Sequence, residues 1–242
     1  MINDFKIEFL KTKRTVIRKL VWIFPILAAI ITTLFFASTG YVAQSLINQW
    51  SFLYANLFTA LLIGLIDRHE KNSTDYKMIF SSPTNLFNYE LGRILNGIFL
   101  ILLGSLILII ITIMESLFWP TKISILSIII AILGIFLTAI WQIPLYFWLS
   151  RKTNLYISIL VAFLGSFISL MINETSFGNF WPYSWSSLFP VSLIKMHVNG
   201  LLVNNHETIS NNSWTILASI ILFVILSYLT AFSFKKQVNK ND

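Results

Sequence analysis

The sequence predicts an all-α polytopic membrane protein, with six transmembrane helices in a single domain covering residues 1–242. Composition is the first observation behind that reading. Only 11% of the residues are charged and mean hydropathy is +0.76, whereas a soluble domain carries about 25% charged residues, so lipid is the main solvent. Distribution is the second. The apolar residues gather into six continuous runs, 20–38, 50–66, 94–114, 123–149, 155–172 and 214–234. At 1.5 Å per helical residue each approaches or exceeds the roughly 30 Å of a bilayer's hydrocarbon core, the 50–66 run being slightly short. Continuous runs rather than ten-residue alternations exclude a β-barrel. The wealth of aromatic and β-branched residues excludes a disordered chain. Cysteine is absent, which removes disulfides, thiolate nucleophiles and cysteine-based metal sites.

Residues 1–19 precede the first run and are amphipathic. Ile2, Phe5, Phe9, Val16 and Leu20 share one helical stripe, with Lys11, Arg14 and Arg18 opposite. Such a helix lies in the headgroup plane with its apolar side among the acyl chains; a frayed, positively charged tail is the plainer alternative. The first run is too long for a signal-peptide core, and Ala37-Ser38-Thr39 is a poor cleavage site, so 20–38 reads as an uncleaved span.

Orientation follows from lysine and arginine. Fifteen of the seventeen fall in 1–19, the 67–93 loop, the 151–152 turn and the tail, leaving Lys122 and Lys195 on the other side. Both termini are therefore expected in the cytoplasm, and the protein in the cell membrane as a multi-pass chain. The charge of +7 reflects topology and contact with anionic lipid rather than nucleic-acid binding.

The 67–93 loop is the one cytoplasmic connection with room for structure. Asp67-Arg68-His69-Glu70-Lys71 reads as a solvated, ion-pairing extension of the second helix, broken at Asn72-Ser73. Thr74 and Asp75 suit the start of a short helix through Tyr76, Lys77, Met78, Ile79 and Phe80, and Ser82-Pro83 suits the start of the third span. A helix showing so many apolar side chains outside the membrane needs a partner, either the bilayer interface or a groove on a soluble subunit. In the fourth span, Pro144 predicts a kink, with Gln142 either bonding a freed carbonyl or lining a polar path. Ser158, Ala162 and Ser166 in the fifth span, and Ala29, Thr33 and Ala37 in the first, are packing faces of small residues.

The external 173–213 segment carries Phe177, Phe180, Trp181, Tyr183, Trp185 and Phe189 among glycine, serine and asparagine. It reads either as a re-entrant or interfacial hairpin or as an aromatic belt anchoring the fifth and sixth spans. His197 and His206, nine residues apart in a loop, have weak spacing for a metal. No metal site is expected.

Chemistry is sparse. The sequence has no G-x-x-x-x-G-K-[ST] stretch and no G-x-G-x-x-G fingerprint. Its acids are expected in loops or at helix ends, with no catalytic pair or coupling-ion residue at membrane depth. No enzymatic activity is expected, and any transport would draw its energy from another polypeptide.

The chain resembles the ABC-2-type permeases, the membrane subunits of ABC exporters, and within them the permease subunits of lantibiotic-protection (immunity) transporters of Gram-positive bacteria. The resembling stretches are EFLKTKRTVIRKLVWIFP at 8–25, HEKNSTDYKMIFSSP at 69–83, WQIPLYFWLSRK at 141–152 and FPVSLIKMHVNG at 189–200. The resemblance implies an amino-terminal interfacial helix, a cytoplasmic coupling helix between helices 2 and 3, and a re-entrant element between helices 5 and 6. By position, Tyr76 to Phe80 would form the coupling helix and Arg151-Lys152 a smaller contact. It further implies a separate ATP-binding subunit holding ATP and Mg²⁺, a second copy or related permease subunit, and a cationic amphiphilic peptide as substrate. The aromatic residues Phe177 to Phe189 are the candidate surface for it. The competing expectations are an ABC-2 permease for another amphiphile (lipid, drug or bacteriocin) and a non-transport membrane scaffold or sensor.

Overall fold

A computed structural model describes residues 2–74, 76–81, 84–119, 121–173, 175–204 and 212–236. The expectations for Asp75, Ser82, Pro83, His206 and the tail beyond Lys236, and for the side chains of Ile2, Thr74 and Met78, lie outside the described residues. The chain forms α1 (Ile2–Thr12), α2 (Val16–Phe36), α3 (Val42–Gln49), a π-helical turn (Trp50–Tyr54), α4 (Ala55–Thr74), α5 (Lys77–Phe80) and α6 (Leu86–Phe118). These are followed by α7 (Ile125–Ala139), α8 (Gln142–Lys152), α9 (Leu155–Ile172), α10 (Trp185–Leu188), α11 (Val191–Ile194) and α12 (Trp214–Lys235). Among the described residues, five helices are long and apolar enough to cross a membrane, six when α7 and α8 count as one span bent by 43°. This is a multi-pass membrane architecture.

The first, second and third spans run past their apolar cores. The second extends over Val42–Ser73 and the third over Leu86–Phe118, against expected runs of 50–66 and 94–114. The cause is polar residues that face protein. Gln44, Ser45 and Asn48 on α3 are buried, Gln49 accepts from the Thr32 hydroxyl (3.2 Å) and Asn48 donates to the His197 carbonyl (3.0 Å). Polar side chains satisfied inside a bundle lower a segment's hydropathy without removing it from the fold. At the other end of the second span the helix does not break at Asn72-Ser73 but continues to Thr74. Helix starts follow capping chemistry: the side-chain oxygens of Asn85, Ser124 and Asn154 accept backbone N–H groups at the starts of α6, α7 and α9.

The kink of the fourth span sits one turn earlier than Pro144 itself. The helix breaks at Ile140-Trp141, leaving Pro144 in the first turn of α8, where a missing N–H costs little. The Ile140 carbonyl is taken by Ile143 N–H (3.1 Å). Gln142 is thereby free of repair duty. Its amide donates to Asn56 Oδ1 (2.6 Å), and Asn56 Nδ2 donates to Ser166 Oγ (2.8 Å), so one buried chain joins α8, α4 and α9.

α9 displays the logic of the bundle. Ser158, Ala162, Gly165, Ser166 and Ser169 are turned inward and buried, while Leu160, Phe163, Leu164, Phe167 and Met171 are exposed. Small polar faces pack and large apolar faces meet lipid, the inverse of a soluble helix. Residues 176–194 fold back between α9 and α7. Trp181 Nε1–H donates to the Gly165 carbonyl (3.0 Å), and a Cβ on Gly165 would lie 2.7–2.8 Å from the Tyr183 ring. The tyrosine can occupy this depth only because residue 165 has no side chain. That is about 10 Å below the end of α9 at Ile172.

Candidate functional site

Tyr76, from the expected coupling helix, joins a buried ionic cluster at the end of the bundle that carries α1 and the last turn of α12. Asp67 and Glu70 lie three apart on α4, and Glu90 and Arg93 three apart on α6, so each pair shares a helix face. Both faces turn inward. Asp67, Glu90 and Arg93 are 1% exposed or less, whereas Arg68, His69 and Lys71 point out. The solvated turn expected at 67–71 is thus half correct, and Arg93 is a core residue rather than a loop charge.

Arg93 donates to Asp67 Oδ1 (2.8 Å) and to Glu90 Oε2 (3.1 Å), and Arg151, at the end of α8, donates to Glu90 Oε1 (2.7 Å). The Tyr76 hydroxyl donates to Asp67 Oδ1 (2.6 Å). Two guanidinium and two carboxylate groups cancel in net charge, the condition under which ionised groups survive burial. The Arg93 guanidinium also faces the Phe147 ring at 4.7 Å, and that of Arg151 lies over Phe234 at 4.5 Å. Phe234, on α12, contacts Tyr76 (6.0 Å between ring centroids), Phe80 (5.6 Å) and Tyr89 (5.9 Å). Burial, the first cause, and the neighbouring Asp67 carboxylate push the Tyr76 phenol above its ordinary range against the opposing pull of Arg93.

A second cluster docks α1 beside the first. Lys11 meets Glu8 and Glu70 (2.8 Å each) and donates to the Tyr89 hydroxyl (3.3 Å), which donates to Glu8 (2.9 Å). Burial alone would lower the Lys11 ammonium; the two carboxylates outweigh it and hold it above the ordinary lysine value. α1 approaches α6 so closely that a Cβ on Gly92 would lie 2.8 Å from Asp4 Cβ and 3.1 Å from backbone atoms of Asp4 and Phe5. The stripe expected on residues 1–19 is accordingly rearranged. Phe5 and Phe9 pack on Phe99, Glu8 and Thr12 are buried, and Ile7, Leu10 and Val16 are exposed.

The expected site residues therefore separate. Tyr76 and Ile79 are buried against the chain's own aromatic cluster and Phe80 is half-buried, so the apolar partner they require is intramolecular. Lys77 and Lys152 are exposed, while Arg151, expected as a surface contact, is consumed by Glu90. Among the aromatic residues, Phe177 and Phe180 are 74% and 81% exposed. Trp181 is half-buried, and Tyr183, Trp185 and Phe189 are interior. The Tyr183 hydroxyl meets that of Tyr146 at 3.0 Å. Sequence reasoning missed Asp67, Glu90 and Arg93. The available signal was the Glu90–Arg93 spacing with no proline between Leu86 and the apolar run.

Among the described residues, no group of three or more histidine, aspartate or glutamate side chains could hold a metal ion. No family model, curated protein or solved structure matches the chain.

Proposed function

We propose that the protein is the membrane-spanning permease subunit of an ABC exporter that expels a cationic amphiphilic peptide of the lantibiotic type, protecting the cell that makes it. A separate ATP-binding subunit, carrying ATP and Mg²⁺, supplies the energy, and a second copy or related permease completes the pathway. In this reading the termini and α5 face the cytoplasm of the cell membrane, and the motor grips the surface offered by Lys77 and Lys152. The segment 176–194 lies at the outer face, where the exposed Phe177 and Phe180 suit an amphiphile at headgroup depth. The family resemblance of the sequence is one support.

The observation that carries the proposal is the anchoring of α5. Through Tyr76–Asp67 and the Phe234 cluster, a four-residue helix is tied to the ionic cluster shared by α4, α6 and α8, and to α12. A force applied at Lys77 would move α4, α6 and α8 together, because charge pairs at low dielectric resist separation, with α12 following through Phe234. Purification of the full chain from native-like membranes tests the proposal: an ATP-binding protein is expected to co-elute, and Lys77→Glu to weaken that association without unfolding the chain. Co-elution of no nucleotide-binding protein, or an epitope tag beside Lys77 found on the cell exterior, overturns it.

A further inference from the structure

A lipid-facing groove of about 350 Å³ runs between α2 and α6 at the end opposite the ionic cluster, lined by Ile26, Ala29, Ile30, Leu34, Ile111 and Trp119 around Thr33 and Glu115. It contains one carboxylate. Glu115 Oε1 accepts the Thr33 hydroxyl (2.8 Å), whereas Oε2 is shielded from solvent and has no hydrogen-bond partner. Among the described residues Glu115 has no ion-pair partner; Lys122, the nearest base in sequence, donates to the Tyr41 hydroxyl (2.8 Å) and sits 4.9 Å from its ring. A half-satisfied carboxylate in apolar surroundings is costly, and a cation beside it would offset that cost.

We infer that this groove binds the ammonium of a lysine side chain on an amphiphilic cationic peptide, with Glu115 as its counter-charge; the inference rests on the proposed function for the identity of the peptide, not for the site. Position supports it. Glu115 lies 25 residues from Glu90 along α6, or about 37 Å, which places it near the headgroup level when Glu90 is at the opposite boundary. From Thr33 to Ile26 the wall is apolar for about 10 Å, and Ile26, Ile30 and Leu34 are 42%, 50% and 78% exposed. An ammonium at the rim and an apolar body reaching inward match that gradient. Trp119 adds an aromatic face suited to a cation. A phospholipid headgroup fits less well, since it brings a phosphate and neither lysine nor arginine lines the groove.

The test uses the full chain in phosphatidylcholine nanodiscs with no ATP-binding subunit, so its outcome is independent of whether the protein is an exporter. The probe is a diazirine-bearing dodecylamine, with its neutral N-acetyl derivative as control. The amine is expected to label residues 26–34 and 111–119, the amide at least about tenfold less, and Glu115→Gln to lose a similar factor, as removal of a charge-assisted bond requires. Glu115→Asp, which keeps the charge, retains most of the labelling and guards against misfolding of the glutamine variant. An amphipathic leucine–lysine peptide should compete. Equal labelling by amine and amide, unchanged labelling of the glutamine variant, or competition by phosphatidylethanolamine but not by the peptide overturns the inference. So does an Ile30→Cys disulfide between two copies that abolishes labelling, because a second chain would then cover the groove.

Discussion

The two ends of the bundle are held by different forces. At the end carrying α1 and the last turn of α12, Arg93, Arg151, Asp67 and Glu90 are locked by charge, and the surrounding aromatic residues exclude water from them. Toward the opposite end most contacts between segments are neutral, namely Gln142–Asn56–Ser166, Tyr146–Tyr183 and Ser169–Ser187, with the Thr33–Glu115 bond the exception. Ionic contacts have a few discrete geometries and large penalties for breaking, whereas hydroxyl and amide contacts inside membranes are each worth about 0.6 kcal/mol and exchange partners readily. One end is therefore the stiffer and the other the more adaptable.

The strongest way to break this contrast is Arg93→Leu. Removing the guanidinium leaves Asp67 and part of Glu90 buried without a counter-charge, a loss of about 3–5 kcal/mol. Gln142→Leu, in the neutral layer, should cost about 0.6 and at most about 1.7 kcal/mol. Equilibrium unfolding in mild detergent checks both. Equal losses would show that the ionic end is no stiffer than the other.

Packing supplies the next effect. Gly165→Leu drives a side chain into the space of the Tyr183 ring, an overpacking expected to cost about 1–3 kcal/mol and to expel the 176–194 segment from the bundle. Because the chain has no cysteine of its own, a Ser184→Cys reporter reads the outcome directly: thiol labelling from the aqueous phase should rise sharply in the Gly165→Leu background. Unchanged labelling would mean that the segment is held by something other than its fit against α9.

What could be read from the sequence divides along the same physical line. The apolar spans were legible because lipid imposes length and composition, and the fifth, 155–172, coincides with α9. Residues whose partner is another part of the chain were not. Gln44, Ser45 and Asn48 resemble loop residues until the Thr32 and His197 contacts of that helix are seen, and Glu90 and Arg93 resemble solvated charges until Asp67 and Arg151 are brought beside them. A short helix in this loop was legible, yet neither its start nor its burial was: Thr74 ends α4, Tyr76 in the left-handed region takes the N-cap position with no side-chain cap, and Phe234 lies more than 150 residues away. Glu115 was equally opaque: its role depends on Thr33, 82 residues earlier.

The smallest effect sharpens the comparison from the edge of the ionic end, where α1 is clamped by Lys11. The folded-state value of this ammonium is raised above its ordinary 10.5, so the folded chain holds the proton more tightly than the unfolded one. The resulting stabilisation is complete below about pH 10 and declines as pH rises through the raised value. Its size is modest, because one third of the Lys11 side chain is exposed and water screens the pair. Hydrogen exchange of α1 amides, corrected for intrinsic base catalysis, should show constant protection from about pH 6 to about pH 10 and a fall above it. Lys11→Met should show weakened protection at every pH and no alkaline step, while amides of α6 around Arg93 stay protected in both proteins. Loss of α1 protection already near neutrality, or the same alkaline step without Lys11, would place the clamp elsewhere and leave Gly92 and the Phe5–Phe9–Phe99 cluster to hold the helix.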